Sequence, residues 1–376
     1  DASDIAEVSK VLESPIITRG PKVAEFEKAL ADYCEAKFAI AFNSGSSALM
    51  GAYFAANAGP HDKIITTPNT FISTLGAGVL RGTQHVFLDI DRKTGNFNLD
   101  HLEHTLELPT SRGRPFIVPV HFSGIAVDMQ QIDGMIKNPE AVIIEDAAHA
   151  IGSYYPDGTK VGSCRFSQMT VFSFHPAKVM TTGEGGAVTT NDQELAHRLQ
   201  LYRNNCLERD PTHLLQETTP WYYEVVNLSG NFNFTEMQGA LGLSQLSRIE
   251  KFIKKRRELI RLYRKLLTNV EHLQMFTDQY DSHTAYHLCV VQIDFEKYKK
   301  NRTEIMEALK AKGIGTQVHY IPLYRHPLFE KKTGDLSAYF PEMEAYYSQA
   351  LSLPLYYDLT EEDVEKVAKT LIEVLS

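Results

Sequence analysis

The chain has 376 residues, enough for two domains, and 43% hydrophobic and 23% charged residues, the composition of a soluble globular protein. A net charge of −9 argues against general binding to nucleic acid or to a membrane surface, so an anionic ligand would need a local site of backbone N–H groups. The four cysteines are scattered without CxxC spacing, which argues against zinc and thioredoxin-type sites and favours a reduced, cytoplasmic setting. No apolar run approaches the ~20 residues of a membrane helix, and the first residues lack the basic region of a signal peptide.

The first two hundred residues alternate short apolar runs with amphipathic segments. The apolar runs predict strands at 38–42, 63–66, 86–90, 116–120, 141–144, 169–174 and 187–190. The amphipathic segments predict helices at 21–34, 48–58, 72–80 and 129–136. We expect Ser46 or Ser47 near the N-cap of the second helix. This alternation predicts βαβ units and an α/β fold with a mainly parallel sheet between helices.

The pattern changes after about residue 205. Loop signals fill residues 207–220, just before the only tryptophan, Trp221. Helices are predicted at 235–246, 248–268, 303–311, 337–350 and 360–375, and strands at 286–293 and 315–320. We therefore expect a large α/β domain over residues 1–205, a loop and interface segment over 206–247, and a small C-terminal α+β domain over 248–376.

The most unusual stretch surrounds Lys178, which lies between two apolar runs among Ser, Thr, His and Gly residues. Burial disfavours the ammonium form, so such a lysine can have a lowered pKa and act as an amine nucleophile. That is the state needed to form a Schiff base with an aldehyde cofactor. Taken alone, an ordinary solvated loop lysine is the simpler interpretation.

Other residues could complete a cofactor site. Asp146 ends a predicted strand, where ligands of parallel sheets bind, and could hold a protonated pyridine nitrogen; capping of a following helix is an equal alternative. Ser46 and Ser47 open a helix and could bind phosphate, although plain capping is the simpler interpretation. Ser173 could add a phosphate contact, and Phe71 could stack on an aromatic cofactor, although a lone Phe is more often core.

Three histidines are candidate acid–base groups: His149, His175 and His319. None has metal-ligand spacing, so no metal site is expected, and a structural role is the simpler interpretation of each. The chain has no Walker A motif and no GxGxxG after the first strand, so nucleotide-triphosphatase and NAD-binding functions have no support. A GxSxG elbow is absent as well.

Several motifs jointly resemble the DegT/StrS-type nucleotide-sugar aminotransferases, which are pyridoxal-phosphate enzymes of fold type I. The resemblance follows nearly the whole chain in order. The matching motifs are Thr18-Arg19-Gly20-Pro21-Lys22-Val23, Asn43-Ser44-Gly45-Ser46-Ser47, Glu145-Asp146-Ala147-Ala148-His149, Ser173-Phe174-His175-Pro176-Ala177-Lys178, Gly183-Glu184-Gly185-Gly186, and Asn231-Phe232-Asn233 ahead of Gln238-Gly239-Ala240-Leu241. The resemblance implies an aspartate-aminotransferase-like fold and pyridoxal 5′-phosphate as cofactor.

The resemblance also implies roles for single residues. Lys178 would carry the cofactor and move a proton between its C4′ atom and the substrate carbon, while Asp146 would pair with the pyridine nitrogen. Phe71 would stack on the ring, and His149 would contact the 3-hydroxyl. The phosphate would be held by Ser46, Ser47, Ser173 and, from a partner subunit, Asn231. The expected assembly is therefore a homodimer with its active site at the interface.

The sugar-nucleotide pocket implied by the resemblance is lined by Thr18, Arg19, Gly20, His319, Tyr320 and Pro322. The chain departs from the family at three positions: it has His149 where many members have Gln, Asn233 where many have Arg, and Ser229 where Gly is usual.

Within the family, the motifs most resemble the C4 aminotransferases of pseudaminic acid biosynthesis. This implies L-glutamate as amino donor and UDP-2-acetamido-2,6-dideoxy-β-L-arabino-hex-4-ulose, a UDP-4-keto-6-deoxy sugar, as acceptor. Alternatives are a perosamine- or viosamine-type 4-keto-6-deoxy sugar nucleotide as acceptor, a sugar dehydratase, or a non-catalytic regulator of the same fold. The family's dehydratases have histidine in place of the lysine, so Lys178 argues against a dehydratase, and Lys178 with Asp146 argues against a regulator.

Overall fold

The structure is a computed structural model, and it describes residues 1–108, 113–216 and 219–376. Two positions of the predicted 207–220 loop, 217 and 218, lie outside the described residues. The helices are α1 (Ala2–Leu12), α2 (Pro21–Cys34), α3 (Gly45–Ala55), α4 (Ser73–Val79), α5 (Leu99–Glu107), α6 (Met129–Met135), α7 (Gln193–Arg203), α8 (Glu236–Leu246), α9 (Ile249–Leu267), α10 (Arg302–Ala311), α11 (Pro327–Thr333), α12 (Pro341–Gln349) and α13 (Glu361–Leu375). The strands are β1 (Phe38–Phe42), β2 (Lys63–Thr66), β3 (Gln84–Phe87), β4 (Pro115–Ile117), β5 (Val142–Asp146), β6 (Met169–Ser173), β7 (Gly186–Thr190), β8 (Leu207–Glu208), β9 (Glu224–Val225), β10 (Leu273–Met275), β11 (Cys289–Ile293) and β12 (Ala350–Leu353).

The described strands form a central seven-stranded sheet in the order β1-β7-β6-β5-β4-β2-β3. Neighbours from β6 to β3 pair in parallel, whereas β7 runs antiparallel to both β6 and β1. The sheet is thus mixed but mostly parallel, which confirms the predicted α/β class. Because β1, β5 and β6 all point the same way, their carboxyl ends meet at one edge of the sheet. That edge receives the start of α3, Asp146, Ser173 and the connection that leads into β7.

Helix α2 fixes the backbone near this edge. It buries Val23, Phe26 and Leu30, which lie on one face of the helix at a spacing of three and four residues. The ring centroid of Phe26 lies 5.5 Å from those of Phe174 and Phe234. These contacts join α2 to the chain directly after β6 and to the chain directly before α8.

A second sheet lies in the C-terminal part of the chain. Strands β10, β11 and β12 are antiparallel and pack with α9, α10 and α13 around their own core, which includes Tyr263, Val291, Leu351 and Leu371. The predicted boundary after residue 247 falls between α8 and α9, but the division into three parts stays a prediction. None of the helices described is both long enough and apolar enough to cross a membrane.

Some predicted elements are wrong. Helix α3 begins at Gly45, and its N-cap is Ser44 rather than Ser46 or Ser47, because Ser44 and Ser47 form a reciprocal capping box. Residues 315–320 do not form the predicted strand; Gln317 makes an isolated bridge to Ser352, while the Tyr320 amide donates to a side chain. Helices α1, α5, α7 and α11 were not predicted.

Candidate active site

A cavity of about 450 Å³ opens at the edge of the central sheet where β5 and β6 end. Its walls come from the starts of α3 and α4, the segments after β5 and β6, and two segments of the C-terminal part. Most of the residues predicted for the site line it: Ser46, Phe71, Asp146, His149, Ser173, Lys178, His319 and Tyr320.

Lys178 lies half-buried in the connection between β6 and β7. This connection is held by its own hydrogen bonds, since Thr181 Oγ1 and the Thr182 amide donate to the Phe174 carbonyl at 2.9 and 3.0 Å. Burial lowers the pKa of Lys178 to about 8, while attraction to Asp146 acts in the opposite direction. At pH 7 about a tenth of such side chains are neutral amines, far more than for a solvated lysine.

Asp146 is the last residue of β5 and is 5% exposed. Its Oδ2 accepts a hydrogen bond from Thr74 Oγ1 at 2.6 Å, and its Oδ1 accepts one from the Ala148 amide at 3.1 Å. The residues that follow form a turn, so Asp146 does not cap a helix. An ionised carboxylate accepts about four hydrogen bonds, which leaves capacity for a cationic N–H in the cavity.

Glu145 fixes the end of β5 on its other side. Its fully buried carboxylate accepts hydrogen bonds from Tyr155 Oη at 2.6 Å and Thr170 Oγ1 at 2.9 Å and lies 2.7 Å from His121 Nε2. Burial alone would raise the pKa of Glu145, but the contact with His121 and the other hydrogen bonds outweigh it and lower the pKa. This network holds β5 against β6 and thereby positions Asp146.

The N-terminus of α3 forms the opposite wall. Within the described residues, the amides of Gly45 and Ser46 have no hydrogen-bond acceptor, as is usual in the first turn of a helix. Ser46 Oγ lies 2.6 Å from Ser73 Oγ, and a Cβ atom at position 45 would lie 3.0 Å from the Cβ of Ser173. Glycine at position 45 therefore lets the helix approach the end of β6, and the free amides and hydroxyls suit a small anion such as phosphate.

Three imidazoles form a further wall, and burial governs their charge. Burial lowers the pKa of His149 and His287 well below the ordinary value and that of His319 to about 4, and the positive charge of Lys178 lowers all three further. The ring centroids of His149 and His287 are only 4.4 Å apart. All three rings are therefore neutral at pH 7.

The hydrogen bonds of His149 define its tautomer. The Ser123 amide can only donate, so His149 Nδ1 accepts at 3.3 Å and the ring proton lies on Nε2. That proton points to the hydroxyl oxygen of Tyr320 at 3.1 Å. Burial raises the pKa of Tyr320, so the phenol keeps its own proton and can donate it to a ligand. Both ring nitrogens of His149 therefore have partners, so His149 would contact a cofactor through the face of its ring.

Two predicted residues do not line the cavity. Ser47 is 3% exposed, and its hydroxyl donates to Asn43 Oδ1 at 2.7 Å, so it belongs to the cap of α3. Pro322 follows the lining residues His319 and Tyr320 but is not itself part of the wall.

Four other predicted residues lie together, apart from the cavity wall, and are called the Arg19–Asn231 group: Thr18, Arg19, Gly20 and Asn231. The Arg19 guanidinium donates to Asn204 Oδ1 at 3.5 Å, and Asn204 forms a bridge with Asn231. None of the four is among the residues that line the cavity of their own chain.

The structure also adds residues that the sequence analysis missed. Thr74 donates a hydrogen bond to Asp146, and the only sequence feature that pointed to Thr74 was its four-residue spacing from Thr70. His287 lies in the segment before β11, and no sequence pattern indicated that it lines the cavity. Arg256 is 3% exposed and donates to the carbonyls of Lys178 and His287 at 3.3 Å; an arginine on the apolar face of α9 was a visible signal.

The residues present fit pyridoxal 5′-phosphate. The cavity offers a largely neutral wall with one reactive amine, Lys178, for an aldehyde. It offers the buried carboxylate of Asp146 for a ring nitrogen, and the N-terminal amides of α3 at Gly45 and Ser46 for a phosphate. When bound, the cofactor supplies an electron sink for negative charge on a substrate carbon.

The chain belongs to the DegT/DnrJ/EryC1/StrS aminotransferase family, whose profile matches residues 1–372. It is therefore a pyridoxal-phosphate-dependent aminotransferase, which confirms the family and the cofactor predicted from the motifs. Solved structures of the related Streptococcus pneumoniae protein Spr1654, in PLP- and PMP-forms, match with a TM-score of 0.88 at 25% and 26% identity and cover all of this chain and 96% and 97% of theirs.

The chain is also similar to individual proteins over its full length. The spore coat polysaccharide biosynthesis protein SpsC of Bacillus subtilis is 37% identical over 373 residues, 99% of this chain and 94% of SpsC. The UDP-4-amino-4,6-dideoxy-N-acetyl-β-L-altrosamine transaminase of Campylobacter jejuni serotype O:23/36 is 34% identical over 376 residues, 100% of this chain and 95% of the relative. Helicobacter pylori PseC, an aminotransferase involved in the biosynthesis of pseudoaminic acid, matches with a TM-score of 0.90 at 30% identity and covers 100% of this chain and 96% of PseC.

Proposed function

We propose that the protein transfers an amino group from L-glutamate to C4 of UDP-2-acetamido-2,6-dideoxy-β-L-arabino-hex-4-ulose in pseudaminic acid biosynthesis. The observation that carries the aminotransferase reaction is the cavity that is lined by Lys178, by Asp146 and by the N-terminal residues of α3. The choice of sugar is supported by full-length similarity to the Campylobacter transaminase and to PseC.

Lys178 is proposed to anchor the cofactor and to move the proton. Its lowered pKa leaves about a tenth of the side chains as neutral amine at pH 7, and this amine would take the proton from the substrate carbon and deliver it at C4′ of the cofactor. Arg256 binds the Lys178 carbonyl and thereby restricts the backbone from which the amine reaches both atoms.

Asp146 and the start of α3 are proposed to orient the cofactor from its two ends. The Asp146 carboxylate, held by Thr74 and by the Ala148 amide, stabilises a positive ring nitrogen. The amides of Gly45 and Ser46 receive the phosphate, together with nearby serine hydroxyls. Both ends of the cofactor would then be held within the cavity that Lys178 lines.

A second cavity, of about 590 Å³, adjoins the first and is proposed to receive the sugar. The two cavities share Thr70, Phe71, His319 and Tyr320. The second also has exposed apolar side chains, including Ile321 and Leu328, which offer a surface for the methyl group of a 6-deoxy sugar. Tyr320, with its free hydroxyl proton, stands between the cavities as a donor to a sugar oxygen.

The working assembly is proposed to be a homodimer in which the Arg19–Asn231 group of one chain completes the cavity of the other. The group does not line its own cavity. Apolar side chains near it in the chain are exposed, among them Ile16 at 49%, Trp221 at 75% and Leu228 at 85%. Exposed apolar surface of this kind is typical of a protein–protein interface.

Mixed dimers test this shared site. Lys178→Ala and Asn231→Trp should each inactivate the homodimer. When the two are co-expressed, one site of a mixed dimer receives both changes and the other receives neither, so part of the activity should return. If mixed dimers confirmed by mass stay inactive, Asn231 acts within its own chain and the shared site is refuted.

The substrate is tested with holoenzyme, L-glutamate and a panel of UDP- and dTDP-4-keto sugars, with products identified by mass spectrometry. We expect amination of the β-L-arabino UDP-sugar at the highest kcat/KM, and none with Lys178→Ala. The alternative is another 4-keto-6-deoxy sugar nucleotide, such as one of the perosamine or viosamine type, because the chain is 37% identical to SpsC, a spore coat polysaccharide biosynthesis protein, and 34% identical to the Campylobacter transaminase, so identity alone does not single out one sugar. Preference for such a sugar would overturn the pathway but leave the aminotransferase reaction intact.

A further inference from the structure

Two histidines and a glutamate converge beside α7, apart from the cavity walls. His197 Nε2 lies 2.8 Å from Glu208 Oε2, and His213 Nδ1 lies 3.4 Å from the same oxygen. All three ligand atoms lie within 4.8 Å of one another, and the two imidazole centroids are 4.4 Å apart. Three segments thus aim one ligand atom each at a common point: α7, strand β8 and the turn after it.

The distances are close to those of a bound metal ion. Bonds of about 2.0–2.2 Å from zinc to imidazole nitrogen or carboxylate oxygen, in tetrahedral geometry, place ligand atoms about 3.3–3.6 Å apart. Small rotations of the two imidazoles would bring the present atoms to that spacing. Imidazole with carboxylate suits zinc-like transition ions, whereas calcium and magnesium favour oxygen ligands alone.

The carboxylate is already oriented for such a role. Glu208 is 4% exposed, and its other oxygen, Oε1, accepts the backbone amides of Arg209 and Asp210 at 2.9 and 2.8 Å. This leaves Oε2 for the imidazoles, as outer hydrogen bonds do for ligands in known metal sites. Among the described residues, Glu208 has no lysine or arginine as ion-pair partner, and the Arg209 guanidinium lies over the Tyr223 ring at 4.8 Å instead.

We propose that His197, Glu208 and His213 bind one divalent transition-metal ion of the zinc class, with water completing the coordination. The His213 side chain is 48% exposed, so the ion has a path from solvent and space for the water. Bound metal joins the turn after β8 to α7. It stabilises the folded chain because the three ligands converge only there.

The test uses holoenzyme that has been freed of metal by a chelator. Zn²⁺ is titrated against a chromophoric chelator, and Co²⁺ is added separately because its visible spectrum reports tetrahedral coordination. The variants are His213→Ala, at an exposed position, and Glu208→Gln, which keeps the shape and the Oε1 acceptor. His61→Ala, an exposed histidine elsewhere, is the matched control.

Wild type and His61→Ala should bind one Zn²⁺ per chain, and Zn²⁺ should raise their thermal midpoints. His213→Ala and Glu208→Gln should weaken binding by at least about a hundredfold, more than the loss of an outer partner would. If wild type binds no Zn²⁺, the proposal is overturned, and the three side chains contact one another only through hydrogen bonds and ion pairs. Undiminished binding by His213→Ala would place the metal elsewhere and also overturn it, whether or not Glu208→Gln folds.

Discussion

The protonation of Lys178 can be predicted quantitatively. Burial lowers its pKa from 10.5 to about 8, against the attraction of Asp146. At pH 7 a pKa of 8 leaves about one side chain in ten as neutral amine, whereas a pKa of 10.5 leaves about three in ten thousand. The fold therefore supplies roughly 300 times more nucleophile to the incoming cofactor aldehyde than a solvated lysine would.

The same shift predicts an effect on stability. Between pH 8 and pH 10.5 the unfolded chain binds a proton at this lysine that the folded, cofactor-free chain does not, so stability rises with pH across this window. Below pH 8 the lowered pKa of Lys178 reduces the free energy of unfolding by up to about 3 kcal/mol, at 1.36 kcal/mol for each pKa unit. Lys178→Met should therefore raise the thermal midpoint of the cofactor-free protein at pH 7, and much less above pH 10.5.

Competitive acetylation with a trace of labelled reagent over a pH series, followed by peptide mapping, measures the titration of Lys178 directly. The other lysines serve as references in the same digest. Asp146→Asn removes the attraction that raises the pKa, so Lys178 should then titrate below 8. Titration of Lys178 near 10.5, or a rise in its pKa in Asp146→Asn, would refute this account of the cavity.

Three further predictions concern the wall of the cavity and the Arg19–Asn231 group. Asp146→Asn keeps the shape of the side chain but loses its charge, so kcat should fall by about a hundredfold or more; a near-normal kcat would show that Asp146 only stabilises the turn after β5. Thr74→Val removes a hydrogen bond to a charged group worth about 1.5–3 kcal/mol, so kcat/KM should fall about tenfold to a hundredfold, with recovery in Thr74→Ser. Arg19→Ala should raise the KM for the sugar nucleotide more than that for glutamate; equal effects, measured by steady-state kinetics, would exclude Arg19 from the site.

Most of the central sheet was predictable because its strands, apart from the edge strand β3, are short apolar runs buried on both faces. Strands β1, β2, β6 and β7 and helices α2, α8 and α9 lie within a residue or two of their predicted positions. Helix α5 was missed although Leu99, Leu102 and Leu106 recur at helical spacing, with Leu102 fully buried and the other two packed against the same core. Residues 315–320 have strand-like composition, but the Tyr320 amide binds the Asn69 side chain, a tertiary contact that no local pattern shows.

The candidate site was predictable where its residues end strands of one sheet. Asp146 ends β5 and Lys178 follows β6, so the topology alone brings them to the same edge. Thr74 and His287 reach the cavity from α4 and from the chain before β11, and sequence spacing gives no measure of that approach. The His197–Glu208–His213 cluster was missed for the same reason, because its spacing of 11 and 5 residues follows no metal motif.

The point of cofactor attachment tests the site most directly. Holoenzyme is reduced with borohydride and digested, and the peptides are mapped by mass spectrometry. The pyridoxyl group should lie on the peptide that contains Lys178, at close to one per chain, and should be absent from Lys178→Ala. A pyridoxyl group on another lysine, with Lys178 unmodified, would contradict the assignment of this cavity as the active site.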